Sequence, residues 1–322
     1  MLEQARFNTE VGLPDCYRMP RMLIRTPADL GRPIHELNAL PPARRVLIAD
    51  PRDYEVRYAI NPHMLDGSGE LHTVDRDLAR KQWRGMKAAF ETAGLEVDVL
   101  PPLDHHPDLC FCANPALWIP AEAAPDGEQH LVRSRMANAE RRDEVAHLVQ
   151  HMSVRGVEIE GIEGPADRFE GSGDGMFHPG RRLLWGGVGP RTELAAWAEI
   201  GERFELPVAA VQLVDPHFYH LDTCFTPLDE ERCLWFPPAF NAAGAEMIRA
   251  FFPGAIEVGE REAREALACN SWSPDGQRVF VPDGCEETAS ALSRHGFQVI
   301  EIECGEFRKA GGAVFCLKLV IG

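Results

Sequence analysis

From Val46 onward, short apolar runs alternate with stretches in which apolar residues recur every three or four positions. VLIAD (46–50), LEVDVL (95–100), VEIEGI (157–162), RLLWGG (182–187) and VAAVQLV (208–214) have the length and composition of strands. Between them, residues 75–93 place Leu78, Trp83, Met86, Ala89 and Phe90 near one helical face, and Gly94 supplies a C-terminal stop. Residues 140–151 and 192–204 predict two more helices. The alternation continues through CLWFP, a helix over 241–252, IEV, a helix over 260–268, RVFVP, a helix over 285–295, FQVIEI and a closing strand, VFCLKLVI. Residues 1–45 show no such period and are rich in Pro and Arg. They predict an arm, lying across the body or partly disordered, ahead of a single domain over 46–322.

Four segments share a form: LCFCANPALWIP (109–120), GMFHPGRRLLWGG (175–187), CFTPLDEERCLWFPP (224–238) and CNSWSPDGQRVFVP (269–282). Each runs from an apolar or turn-rich piece, through a break, into a strand. With the opening unit at 46–100 they make five units, spaced by about fifty to sixty residues. Such a period predicts repeats around an axis. A doubly wound sheet is the alternative, but it needs a phosphate-type glycine fingerprint after its first strand, and VLIADPRDYEV has none.

Charge narrows the partners. In 322 residues, 33 Lys and Arg stand against 50 Asp and Glu, a formal charge of −17. Phosphate backbones and anionic membrane surfaces are therefore disfavoured, whereas a small cation is compatible. No apolar run approaches the roughly 20 residues that span a bilayer. The N-terminal MLEQARFNTEVGLPDCYRMP lacks the apolar centre of a secretory signal, so a cytoplasmic protein is expected. The nine cysteines are odd in number and scattered without a CxxC pair. Reduced, mostly buried thiols are the expectation.

Three stretches could carry chemistry. FEGSGDGMF (169–177) sets Glu170 and Asp174 around a Gly-Ser-Gly link that lets backbone approach a ligand; on spacing alone it reads first as a hairpin turn with solvated carboxylates. DPHFYHLDTCFTPL (215–228) alternates His220 and Asp222, which on a strand would share a face, either as a tuned acid–base pair or as a satisfied polar pair at a sheet end. In EFRKAGGAVFCLKLVIG (306–322), a glycine turn feeds a strand with Cys316 just inside it, a core thiol or a nucleophile. HHPDLCFC (105–112) crowds His105, His106, Cys110 and Cys112, but without structural-zinc spacing, so no metal site is expected. Asp108 and Asn114, bracketing a strand there, are the stronger candidates.

Taken together, PDLCFCAN (107–114), FEGSGD (169–174), FYHLDTCF (218–225) and KAGGAVFC (309–316) resemble the guanidine-modifying, or pentein, superfamily, which includes arginine deiminases, dimethylarginine dimethylaminohydrolases, amidinotransferases and arginine dihydrolases. The resemblance implies an α/β fold, a five-bladed propeller of ββαβ units with pseudo-fivefold symmetry, in agreement with the five units counted above. It implies Cys316 as nucleophile and His220 as general acid and base, with Asp222 and Glu170 gripping guanidinium nitrogens. Arg141 in ERRDE and Arg191 in GPRTE would hold a substrate carboxylate, and Asp174 and Asp108 would complete the pocket. No metal or organic cofactor is implied, and the partner would be a small guanidino molecule. Dimers and larger assemblies occur among relatives, so a homo-oligomer is compatible.

One position separates activities within the superfamily. Deiminases usually carry Asp where this chain has Asn114, whereas arginine dihydrolases have Asn there and an earlier Asn in a YxINPxM stretch, matched here by YAINPHM and Asn61. An Asn accepts or donates and so can hold a neutral ureido group. The expectation is cysteine-dependent hydrolysis of arginine, or a close analogue, through to ornithine, ammonia and carbon dioxide. The alternatives are a deiminase or dimethylaminohydrolase that stops at citrulline, an amidinotransferase, and a non-catalytic binding protein on the same scaffold. The joint presence of Cys316, His220, Asp222 and Glu170 argues against the last.

Overall fold

The structure, a computed structural model, describes residues 22–322. Five separate sheets account for the strands, and four of them repeat one connection pattern: an antiparallel pair followed by a parallel pair. Ala116–Ile119, His130–Arg133 and Glu158–Gly161 form one such set, and Phe225–Pro227, Cys233–Trp235 and Ile256–Glu257 another. Gly175–Phe177, Leu184–Val188 and Val208–Gln212 form a third, extended by Leu23–Ile24, which pairs parallel with Val208 and Ala209. The fifth unit keeps its parallel pair, Arg278–Pro282 with Gln298–Ile302, and reduces its antiparallel strand to a bridge between Trp272 and Phe280.

The first unit borrows its antiparallel strand from the other end of the chain. Arg45–Ala49 pairs parallel with Glu96–Leu100 on one edge and antiparallel with Leu319–Val320 on the other. Leu47 and Leu319, both fully buried, face each other in register across that last pairing. Of the stretch read as an arm, positions 1–21 lie outside the described residues.

The helices sit where the apolar spacing placed them. Arg76–Thr92 begins at Asp75, whose carboxylate accepts from the N–H groups of Asp77 and Leu78, and ends before Gly94 at φ +83°. It buries Ala79, Met86 and Phe90 on one stripe, while Leu78 and Trp83 flank the stripe half-buried. Its core joins the aromatic packing of Trp185, Phe225 and Phe252 in one large cluster that spans most units. Among the described residues no helix is long and apolar enough to cross a membrane.

Three segments differ from the sequence expectation, and all three carry candidate chemistry. LCFCAN is a 3-10 turn, Pro107–Cys110, followed by an irregular bend; the strand starts only at Ala116. Accordingly Cys110 and Cys112 do not share a strand face: Cys110 packs in the large cluster and Cys112 in a separate one beside Leu47. His220 and Asp222 do not alternate along a strand, because Leu221–Thr223 is a 3-10 turn. Cys316 lies in a turn ahead of the short strand Leu319–Val320, not inside it. In each a polar side chain holds the turn's backbone: Arg141 donates to the carbonyls of Asp108 and Phe111, Thr223 to that of His220, and Asn270 accepts from the N–H groups of Ala313 and Cys316.

Leu319→Ala should destabilise the fold by ~2–5 kcal/mol, since it leaves a cavity at the pairing that joins the two ends of the chain. Urea unfolding checks it; a loss below ~1 kcal/mol would mean that this pairing does not support the first sheet.

Candidate active site

Just before the first strand of each unit stands a polar or reactive residue. Asn114 precedes Ala116, Asp174 precedes Gly175, Asp222 precedes Phe225, Asn270 precedes the Trp272 bridge and Cys316 precedes Leu319. All five are at most 2 % exposed. Contacts knit them together with His220 and Glu170, which flank two of these turns.

Cys316 lies at the centre of the contacts. Its S–H donates to Asp222 Oδ2 at 3.0 Å, and its Sγ accepts from Asn270 Nδ2 at 3.2 Å. Asn270 Oδ1 accepts from the backbone N–H of Ala313 and of Cys316, and its Nδ2 also donates to the Asp222 carbonyl. One buried amide therefore clamps both ends of the nucleophile turn to the Asp222 turn. Sequence reasoning missed Asn270. Its only signal was its place in the repeat, in CNSWSP, where CAN places Asn114.

The EGSGD segment is a buried helical turn, Gly171–Asp174, and not a solvated hairpin; Glu170 and Asp174 are essentially unexposed. Gly171 is required at its first position: φ is +49°, and a Cβ would meet the Ala116 carbonyl oxygen at 2.3 Å. Glu170 Oε2 accepts from His220 Nε2 at 2.8 Å and from Arg191 Nη1 at 3.0 Å, and Oε1 accepts from the N–H of Ala137. Burial works against the carboxylate, but His220 and Arg191 outweigh it and hold Glu170 down to about 2. Asp174 accepts from Thr192 Oγ1 and from the N–H of Leu221, and burial still pushes it up to about 6. Thr192 also accepts from the Glu170 N–H, so Arg191 and Thr192 together fix both acids.

Asn114 links two partners: Oδ1 accepts from Arg141 Nη1 at 2.7 Å, and Nδ2 lies 3.5 Å from His220 Nδ1. Arg141 is held in turn by Glu144 and by the carbonyls of Asp108 and Phe111. Arg191 donates to the Ile60 carbonyl, beside Asn61, and stacks over Tyr219. Asn61 is half-buried and outside the cluster of direct contacts; it ties its loop to the glycine turn by donating to Ala310, and Tyr219 does the same through Gly311. Asp108 accepts from Tyr58 at 2.9 Å.

Two acceptors are left over. Asp222 Oδ1 and Asp108 Oδ1 are buried and have no hydrogen-bond partner among the described residues. Burial raises Asp222 to about 7 and, with the neighbouring Asp222 charge, pushes the Cys316 thiol well above the ordinary range. The pair therefore retains a proton at neutral pH, and a donor to Asp222 Oδ1 is what this corner lacks.

A family model described as eukaryotic N,N dimethylarginine dimethylhydrolase matches residues 59–320. The chain belongs to this family. With it comes membership of the pentein superfamily of guanidine-modifying enzymes and the enzyme class, a hydrolase of guanidino C–N bonds. The N(G),N(G)-dimethylarginine dimethylaminohydrolase of Mycobacterium tuberculosis is 34 % identical over 91 % of this chain and 90 % of its own length. The bifunctional arginine dihydrolase/ornithine cyclodeaminase AgrE of a Nostoc species is 34 % identical over 85 % of this chain, which spans only 37 % of that protein. Among solved structures, the N-terminal domain of ArgZ, an arginine dihydrolase from cyanobacteria, in a mutant bound to substrate, matches with a TM-score of 0.77 at 32 % identity, covering 85 % of this chain and 97 % of that one. A second structure of that domain, covalently bound to a reaction intermediate, gives 0.78 at the same identity over 86 % and 97 %.

In this member of the dimethylaminohydrolase family, Asp222→Asn should lower the pH at which Cys316 ionises by about one unit, because it removes the adjacent negative charge while burial remains. Iodoacetamide alkylation against pH, followed by peptide mass spectrometry, reads the midpoint. An unmoved midpoint would mean that burial alone sets it.

Proposed function

We propose that the chain hydrolyses the guanidino group of free arginine, or a close analogue, through a covalent adduct on Cys316 and continues to ornithine. The observation that carries this reading is the unpartnered Asp222 Oδ1 beside the Cys316 thiol. A planar guanidinium brings the missing donors together with a positive charge. On binding it would draw the shared proton off the pair and leave Cys316 as thiolate next to an electrophilic carbon, and Asp108 Oδ1 offers a second acceptor.

The thiolate adds to the guanidinium carbon; His220 protonates one nitrogen, ammonia leaves, and a thiouronium adduct remains. A water that gives a proton to His220 attacks that carbon, and expulsion of the thiolate leaves a ureido group. A second addition releases the second ammonia and leaves an S-carbamoyl adduct, which water converts to a carbamate that falls to carbon dioxide and the free amine. Glu170, with both oxygens held by protein donors, orients His220 in this scheme and does not grip the substrate. Arg191 binds the substrate carboxylate, since it uses two of its N–H groups on protein acceptors and keeps others for a ligand; Arg141, occupied by Glu144, Asn114 and two backbone carbonyls, orients Asn114 instead. Asp174 holds the His220–Asp222 turn, and Asn61 supports the glycine turn.

Asn114 is the reason for preferring ornithine. Its amide stands between Arg141 and His220, where it can hold a neutral ureido group for the second attack. The likeness to the arginine dihydrolase domain, at near full coverage of that domain, supports the same preference. We further read residues 46–322 as one catalytic domain and the five sheets as blades of a closed ring around the site, a reading supported by the Leu319–Val320 pairing that joins the chain ends.

Incubation with L-arginine should give ornithine and about two ammonia per arginine, with Cys316→Ala inactive. Asn114→Asp should divert product to citrulline, quantified by mass spectrometry. Citrulline as the wild-type end product would reduce the assignment to a deiminase-type reaction, and turnover of dimethylarginine alone would move it to the dimethylaminohydrolases.

A further inference from the structure

A cavity of about 850 Å³ adjoins the catalytic cluster through two shared turns. Ser172, in the turn that carries Glu170 and Asp174, lines it, as do Phe315 and Lys318, on either side of Cys316; none of Cys316, His220, Glu170 or Asp222 does. Lys318 is 1 % exposed. Its Nζ lies 3.2 Å from the ring centroid of Phe315 and 4.9 Å from that of Trp272, and among the described residues its ammonium has no ion pair and no side-chain hydrogen bond. Trp118, on the same wall, buries an indole N–H without an acceptor.

Buried cations in proteins are normally paired, because desolvation is otherwise uncompensated. The acids of this cavity do not pair Lys318. Asp229 is bound to Arg232, Glu230 to Arg181 and Asp275 to Arg278, and the fourth, Glu122, is exposed to solvent. Aromatic faces offset part of the cost of the buried ammonium, yet burial lowers Lys318 to about 7. One buried ammonium, with the exposed Arg44 as the cavity's other cation, under a mouth of four carboxylates suits one negative charge and disfavours a multiply charged anion.

We propose that this cavity is a binding site for a monovalent carboxylate-type anion seated on Lys318, and that its occupancy lowers the reactivity of Cys316. The coupling follows from position. Lys318 lies two residues beyond Cys316, and attraction between its ammonium and the thiolate favours the ionised thiol. An anion that neutralises Lys318 removes that attraction, so the thiol holds its proton more firmly. The coupling rests on the thiol mechanism proposed above; the binding does not.

The test is calorimetric titration of the whole chain with sodium formate at constant ionic strength, together with iodoacetamide alkylation of Cys316. One saturable site is expected, weakened at least tenfold by Lys318→Met, retained by Lys318→Arg and unaffected by Arg191→Lys. Saturating formate should slow alkylation several-fold in the wild type and leave the rate unchanged in Lys318→Met. Thermal melts check that the variants fold, and Lys318→Arg keeps the test informative if the apolar variant does not. Absence of saturable binding, binding that survives Lys318→Met, or binding lost in Arg191→Lys instead would overturn the site; alkylation indifferent to saturating formate would overturn the coupling. Binding and alkylation are both read without measuring turnover, so their outcome stands apart from the assignment of the reaction.

Discussion

The structure around Cys316 depends on the requirement that a carboxylate taken out of water must find donors. Glu170, Asp174, Asp108, Glu144 and Asp222 are all buried within a few turns of one another. Their oxygens are satisfied by Arg141, Arg191, Thr192, His220, Tyr58, the Cys316 thiol and selected backbone N–H groups, with two exceptions. The exceptions, on Asp222 and Asp108, are where a planar cation has something to give. Stability and recognition thus come from the same accounting of buried donors and acceptors, and the site is open to a ligand only where the protein leaves it unfinished.

That arrangement also explains the division of labour among like residues. Glu170 stays ionised because an imidazole and a guanidinium share it; Asp222 is raised because burial outweighs the hydrogen bonds from its thiol and amide neighbours. Two carboxylates beside the same histidine, Glu170 hydrogen-bonded to it and Asp222 two residues along the chain, therefore differ in how readily they take up a proton, one fixing the acid–base group and the other waiting for a cation. Asn270 belongs to this design as much as the acids do. A single amide that accepts from Ala313 and Cys316 and donates to Sγ sets where the thiol points before any substrate arrives.

The fold places these groups by repetition. Each unit ends its lead-in turn just before its first strand, and at that point the five units present Asn114, Asp174, Asp222, Asn270 and Cys316. Residues some two hundred positions apart meet at these turns, and the pairing of Leu319–Val320 with the first sheet brings Cys316 beside them.

Periodicity alone determined the helices, most strands and the count of five units, because amphipathic spacing is a local property that burial enforces directly. The resemblance to the pentein superfamily, carried by motifs in the family's order, also marked Cys316, His220, Asp222, Glu170 and Arg191 as candidates. What the sequence could not decide was local geometry wherever a buried polar side chain captures backbone: LCFCAN, HLDT and AVFC read as strands by alternation and are turns. Nor could it show that Glu170 is fully engaged, that Asn270 clamps the nucleophile or that Lys318 stands alone, because a hydrogen bond between distant segments leaves no periodic trace. Those pairings exist only once the units are brought together, and it is the tertiary structure that decides which buried charge is answered and which is left open.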